Sequence, residues 1–405
     1  MKTQNEFLTD PRIPSKTIGI PHSWGCFFLV LLFAWPIGRA QSNASYSFKD
    51  LSQDTTQVST PFYAGLNGYY SFRIPTIIKA KGTLIAFAEG RKNSTSDFGD
   101  IDLVCRRSKN NGTTWEPLKK LYDLDTMAVQ NPVPIYIPKN NKVVLLFNTT
   151  SLSEHDVLNK DYGPEEERKA FMTSSLDEGL TWKEPIDITR MVKRKSWRWH
   201  ALGPVHGIQL QYGKHKERLV VPVAISIEKG NTAYCMALIY SDNLGQQWMI
   251  GAVDENLIDT VRANETTIAE LYDGTIYVNT RDHTGGSAEK NRGVTYSLDG
   301  GLTFETPIVE SDQFPSPIVQ ASLLRWDSKK KKDLLLFATP SSTDKRENLV
   351  IMASEDESKT WQTLYKVHRG FSAYSDMVRL NKNTLGVIYE TDEYKKISFK
   401  RIKMK

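Results

Sequence analysis

Ser175-Leu176-Asp177-Glu178-Gly179-Leu180-Thr181-Trp182 reads as a tight hairpin. Asp and Gly stand at the turn, where a short carboxylate can bond its own backbone and positive φ costs little. Thr and Trp then re-enter a strand. The pattern returns at Ser108–Trp115, Ser241–Trp248, Ser297–Phe304 and Ser354–Trp361. The copies vary: Asn110 takes the Asp place, Phe304 the Trp place, Ser358 the Gly place, and Gln246-Gln247 replaces the residues before Trp248. The leading serines are spaced by 67, 66, 56 and 57 residues. A single match to so loose a pattern means little, but five at near-regular spacing mean a repeat architecture.

Between the boxes the chain reads as short strands at 133–136, 142–148, 218–224, 233–240, 275–280, 333–338 and 349–353. Val, Ile, Leu, Tyr and Thr fill them; Gly, Asn, Asp and Pro bound them. No stretch sustains helical periodicity, and the charge-rich 162–171 is expected as a surface excursion. Residues 61–405 divide into six units close to 57 residues. Five boxes plus one unit without a copy predict an all-β fold, a six-bladed β-propeller. Its last blade is expected to mix strands from both chain ends, closing the ring and protecting its edges. The boxes are then scaffold, and the Lys329–Lys332 run is a solvated loop tip.

Of the 405 residues 40% are hydrophobic and 24% charged, and the net charge of +5 gives no reason to invoke nucleic acid. Residues 24–40 hold the strongly apolar stretch, with an unbroken heart of nine residues from Phe27 to Trp35. That length suits a signal-peptide core better than a membrane span, with Lys2, Arg12 and Lys16 ahead of it and Gly38-Arg39-Ala40 offering a cleavage site. The expected organisation is a signal peptide over 1–40 (an uncleaved anchor is the alternative), a polar linker over 41–60 and the propeller over 61–405. The body of the protein is expected to be exported, with no membrane span in the mature chain. Cys26 leaves with the signal; Cys105 and Cys235 read as buried thiols rather than a disulfide framework.

Three arginines stand at strand ends in different repeats: Arg73 in Phe72-Arg73-Ile74-Pro75, Arg281 after 275–280, and Arg346 before 349–353. Any one alone reads as a surface ion pair. Strand ends at one propeller face converge, and three guanidinium forks converging there grip a carboxylate. Asp97, in a loop after 84–89, suits a general acid and base, with Asp100 its competitor. Glu265, just before 267–271, and Tyr374, in Ala373-Tyr374-Ser375, suit a carboxylate taking the proton of a phenol nucleophile. Glu390 suits a buried partner for Arg73. Gly207–Lys214 resembles a phosphate loop, but His215 stands where Ser or Thr should bind the metal and the segment alternates like a strand. No HExxH pair occurs, so neither metal nor cofactor is expected in the chemistry.

These residues, with Ala86-Phe87-Ala88-Glu89-Gly90-Arg91, the five boxes and Ile388-Tyr389-Glu390, resemble the exo-α-sialidases (neuraminidases) of the bacterial and animal type, over roughly 65–400. The resemblance implies that Arg73, Arg281 and Arg346 hold the sialic acid carboxylate. It makes Tyr374 the nucleophile, Glu265 its base and Asp97 the acid/base; Glu390 steadies Arg73, and Arg91 is an accessory sugar contact. It implies retaining hydrolysis of terminal sialic acids on glycoconjugates, by a protein expected to be a monomer. Trans-sialidase is the alternative enzyme, and a propeller that only binds sialic acid the non-enzyme one. For the N-acetyl pocket the sequence offers 127–134 and Trp197-Arg198-Trp199.

Overall fold

Apolar runs between the boxes are long enough to be buried on both faces, and they pair as antiparallel strands. Leu219–Ser226, wholly buried, pairs residue for residue with Tyr234–Ser241. The computed structural model describes residues 46–230, 234–256, 261–285, 291–327 and 333–404. The expected signal segment, Cys26 and the Lys329–Lys332 run lie outside the described residues.

Strands next to the axis carry the site. They are β1 (Ser71–Ala80), β2 (Ala128–Ile137), the short β3 (His200–Leu202) and β4 (Ile208–Gln209), β5 (Ala263–Glu270), β6 (Ser322–Trp326) and β7 (Ser372–Asn381). Strand β1 touches β2, β2 touches β3 and β4, and β4 touches β5; β5 then touches β6, β6 touches β7, and β7 returns to β1. That closed circuit, with antiparallel sheets radiating outward, is a β-propeller. Five hydrogen-bonded sheets are described; the eight-stranded one holds two antiparallel runs joined by a parallel bridge between Ile101 and Ala128.

The two chain ends meet in one sheet, as expected. Val58–Tyr63 pairs antiparallel with Lys396–Lys403, which continues through Thr384–Thr391 to β7. The described part of the expected linker is also tied down. Lys49 and Asp50 pair in parallel with Tyr365 and Lys366, and Tyr46 is buried in the apolar cluster that includes Trp326 and Leu364. A two-residue edge strand is held by main-chain bonds, so its polar composition gave no sign of it.

All five boxes use one hydrogen-bond scheme. The third residue accepts the amide of the seventh: Asn110 from Thr114 (2.9 Å), Asp177 from Thr181 (2.8 Å), Asn243 from Gln247 (2.8 Å), Asp299 from Thr303 (3.0 Å) and Asp356 from Thr360 (2.9 Å). Asn243 thus fills the Asp place of the third box, a second Asn variant beside Asn110. The leading serine hydroxyl accepts the amide of the fifth residue, as Ser175 does from Gly179 at 2.9 Å. Gly179 has φ 78°, and a Cβ there would come within 2.7 Å of Ile85. Trp182 meets Phe87 edge-on at 5.8 Å, and Trp115 meets Phe399 at 5.5 Å, so box aromatics join neighbouring strands.

The stretch 162–171 is irregular until the strand Lys169–Ser175 begins. A six-residue helix, Glu154–Asn159, precedes it, capped by Ser153 Oγ accepting the Asp156 amide at 3.1 Å. Cys105 and Cys235 are buried and form no disulfide. Gly207–Lys214 opens no helix; it contains β4. Among the described residues no helix is long and apolar enough to cross a membrane.

Candidate active site

Four inner strands lose their regular register at the same end. The slips fall between Arg73 and Thr76 in β1, Gln130 and Val133 in β2, Ala263 and Thr266 in β5, and Ser372 and Ser375 in β7. A bulge re-aims side chains that a flat strand would send to alternate faces. Here the bulged stretches carry Ile74, Asn131, Glu265 and Tyr374 to one cavity of about 500 Å³. Ile74 adopts φ 56°, rare for a β-branched residue. Its amide is fixed at 2.9 Å by Glu390 Oε1, so a buried carboxylate holds the strain in place.

Of the eight residues singled out from the sequence, Arg73, Arg91, Asp97, Glu265, Arg281, Arg346 and Tyr374 line this cavity. The eighth, Glu390, lies fully buried behind it and accepts Arg73 Nε at 2.8 Å. It also accepts the Tyr374 amide at 3.1 Å. One carboxylate therefore fixes Arg73, the strained Ile74 and the backbone of Tyr374.

The Tyr374 hydroxyl donates a short hydrogen bond to Glu265 Oε1, while Arg281 Nη1 reaches Glu265 Oε2 at 2.7 Å and the Tyr374 oxygen at 3.4 Å. The guanidinium carbons of Arg73 and Arg346 stand 5.3 and 5.6 Å from the Tyr374 ring centre. Three cations thus surround one phenol. Burial and the Glu265 charge raise the Tyr374 pKa well above its ordinary value, against the pull of the arginines. The resting phenol is neutral and already donates to a base.

Asp97 stands at the mouth, its side chain 74% accessible, 2.6 Å from Arg91 Nη2 and 3.4 Å from Arg73 Nη1. The desolvating pocket walls oppose ionisation, but Arg91 and then Arg73 outweigh them and hold the carboxyl below its ordinary range. Asp100, the competitor, does not line the cavity; it pairs with Lys92 at 2.9 Å. With Asp102 and Asp123 it forms the carboxylate cluster among the described residues close enough to share a cation, and Lys92 and Lys120 supply positive charge there.

Arg91 is held by Glu89 at 2.7 Å, by Asp97 and by the Thr95 carbonyl, so its fork serves the loop that carries Asp97. Arg346 is placed by Tyr394 Oη at 3.0 Å and the Ile318 carbonyl at 3.2 Å. The N-acetyl candidates divide. Gln130, Asn131 and Trp199 line the cavity, whereas Trp197 is packed in the core and Arg198 turns to the Val157 and Lys160 carbonyls. Sequence reasoning missed Arg168, fully buried against the face of Trp199 at 4.3 Å and bonded to Gln130 Oε1 at 2.6 Å. It also missed Glu154, which accepts from Tyr234 Oη. Arg168 sits in the charged run Glu165-Glu166-Glu167-Arg168-Lys169, whose composition marks surface; nothing local separates the one inward cation from its neighbours.

Comparison with known proteins places the chain among relatives of one kind. A family model described as a BNR repeat-like domain matches residues 82–387. An exo-alpha-sialidase of Aspergillus fumigatus is 29% identical over 357 residues, 80% of each chain. A sialidase of Bacteroides fragilis is 28% identical over 85% of this chain and 64% of its own length. Among solved structures, the Hadza microbial sialidase Hz136 superposes with a TM-score of 0.75 at 27% identity, covering 85% of this chain and 68% of that one. The family model spans most of the chain and the relatives named are sialidases, so the chain belongs to the sialidase family.

Proposed function

We propose that this glycoside hydrolase is an exo-α-sialidase that cleaves terminal α-linked sialic acids from glycoproteins, glycolipids and oligosaccharides with retention, through a Tyr374-linked glycosyl-enzyme. The observation that carries the reading is the Tyr374–Glu265 hydrogen bond inside the ring of Arg73, Arg281 and Arg346. A sialic acid bears a carboxylate on the carbon to be attacked. A carboxylate nucleophile would approach it as a like charge, whereas a phenol arrives neutral and gains charge only as it bonds. The three arginines hold the substrate carboxylate and stabilise the charge that Tyr374 develops.

In the first step Tyr374 Oη bonds to the anomeric carbon, its proton passes to Glu265, and the glycosidic bond breaks as Asp97 protonates the leaving oxygen. In the second, Asp97 takes a proton from water, which attacks the anomeric carbon; the Tyr374–carbon bond breaks and Glu265 returns the proton. Transfer to a sugar acceptor instead of water would give trans-sialidase activity from the same intermediate.

The propeller reads as six-bladed when the eight-stranded sheet is divided at its parallel bridge. The basic and apolar pattern over 1–40 supports an exported protein.

The test is turnover of a fluorogenic sialoside, with the first-released anomer followed by NMR and the adduct from a fluorinated sialosyl fluoride mapped by peptide mass. The α-anomer, an adduct on Tyr374 and loss of turnover in Tyr374→Phe are expected. First release of the β-anomer, or an adduct elsewhere, would refute the covalent route. Lactose in the same assay separates hydrolysis from transfer.

A further inference from the structure

Further along the strand that carries Tyr374 lies another buried ionic pair. His206 Nδ1 lies 2.7 Å from Asp376 Oδ1; the imidazole is 13% accessible and the carboxylate wholly buried. Asp376 sits on β7, two residues beyond Tyr374. Its other oxygen accepts the Ile77 amide of β1 at 3.0 Å, and Oδ1 also accepts the Met377 amide at 2.8 Å. The segment holding His206 is itself anchored, since the Gly207 amide donates to the Pro134 carbonyl of β2 at 3.1 Å. Beside the pair, Gln320 accepts the Ser375 amide at 2.9 Å and donates to the Ser375 and Pro204 carbonyls. The residue after Tyr374 and the residue after that are thus both pinned by side chains of other segments, Gln320 just ahead of β6 and His206 between β3 and β4.

We propose that the His206–Asp376 pair positions Tyr374: it is a proton-dependent tie that fixes β7 against β1 and against the segment between β3 and β4, and so holds the phenol at Glu265 and under the arginines. This rests on the reading of Tyr374 as nucleophile.

The tie is strongest when His206 is an imidazolium, because a buried carboxylate is then matched by a charged donor. Burial disfavours that charge, but the Asp376 charge and hydrogen bond outweigh it and raise the His206 pKa above its ordinary value. Among the described residues the charge acting on His206 is that of Asp376, and the other polar groups nearby are engaged elsewhere. Lys79 of β1 points to the Leu380 carbonyl and Asn111, Arg379 of β7 faces Asp327, Tyr136 of β2 bonds Asn141, and β6 contributes Leu324. A pKa raised on folding gives stability that is full below the unfolded value of about 6.5 and is lost as pH rises through the folded value.

His206→Leu and His206→Asn separate positioning from bulk stability. Asn offers a donor where Nδ1 stands but does not titrate. In His206→Leu kcat for a sialoside is expected to fall about tenfold or more with KM within about twofold, because small displacements of a reacting atom act on turnover. His206→Asn should recover most of it. The alkaline decline of Tm in the wild type should flatten in His206→Asn. A folded His206→Leu with wild-type kcat would overturn the proposal, even if its Tm were lower. Should that variant not fold, an unchanged alkaline Tm decline in His206→Asn would overturn it. The Tm arm needs no turnover, so a failure of the sialidase reading would be seen separately, as an inert wild type.

Discussion

At the scale of single residues, the site turns on two carboxylates with opposite settings. Asp97 is exposed and flanked by Arg91 and Arg73, so in the free protein it is ionised and cannot donate a proton. A bound sialic acid carboxylate would neutralise part of that arginine field and let Asp97 take up the proton that the proposed mechanism asks it to deliver. The alkaline limb of kcat is therefore expected at higher pH than that of kcat/KM; coincident limbs would remove Asp97 from the acid role. Asp97→Asn should lose about 10²–10⁴ in turnover of natural sialosides, and far less for an aryl sialoside whose leaving phenol needs no proton. Glu390 is the buried counterpart, with four donors on its two oxygens: Arg73 Nε and Nη2 and the amides of Ile74 and Tyr374. Glu390→Gln turns one oxygen into a donor facing donors. A loss of about 3–5 kcal/mol is expected from breaking a buried pair, read from urea midpoints, with a higher KM because Arg73 loses its anchor. The sequence made the partnership with Arg73 legible through the family resemblance. It did not show the two amides, because main-chain acceptance leaves no pattern in residue types.

At the scale of elements, the boxes were the most legible part of the chain, since their chemistry is local. A turn needs an acceptor, a residue tolerant of positive φ and an aromatic at fixed offsets, and those leave a spaced signature. The inner-strand bulges were not legible. They arise where strands from distant repeats meet, and only Pro75 and Pro132 mark the ladder breaks in β1 and β2. The helix Glu154–Asn159 was missed because two buried residues, Val157 and Leu158, are too few to show a period. The boxes also carry a pH dependence. Partial burial opposes the charge of Asp177, but bonds from Thr181, Ser175 and Leu180 prevail and hold it at about 2, against an ordinary 3.8. A pKa lowered on folding gives stability that is full above the ordinary value and is lost as pH falls toward 2. Acid unfolding should therefore steepen across that interval. Asp177→Asn should flatten the slope while costing under about 1 kcal/mol, because Asn110 and Asn243 already serve two boxes. Asp177→Ala leaves the Thr181 amide without its acceptor and should cost about 1–2 kcal/mol in chemical denaturation. Equal losses in the two variants would deny the carboxylate oxygen its part in the turn.

At the scale of the whole molecule, what makes a ring of separate sheets cooperative is the seam between the chain ends. Val58–Tyr63 supplies the outer strand against Lys396–Lys403, and Phe62, fully buried, meets Phe72 of β1 at 5.3 Å. The closure was foreseen because an open propeller leaves two unpaired edges. The docking of residues 46–51 was not, since polar main-chain pairing carries no apolar signal. The seam joins residues from opposite ends of the chain, so forming it bears the largest loop-closure entropy in the fold and is expected to come last. Interactions made after the transition state slow unfolding without speeding folding. Phe62→Ala should cost about 3–5 kcal/mol from the cavity it leaves. Nearly all of that should appear as faster unfolding, with the refolding rate changed by less than about twofold. Leu103→Ala, in the fully buried interior of a sheet joined by neighbours in sequence, should divide its cost between both rates. Stopped-flow denaturant jumps on the two variants decide the matter. If Phe62→Ala slows refolding and leaves unfolding untouched, the ring closes early, and the N-terminal strand is the nucleus of the propeller rather than its clasp.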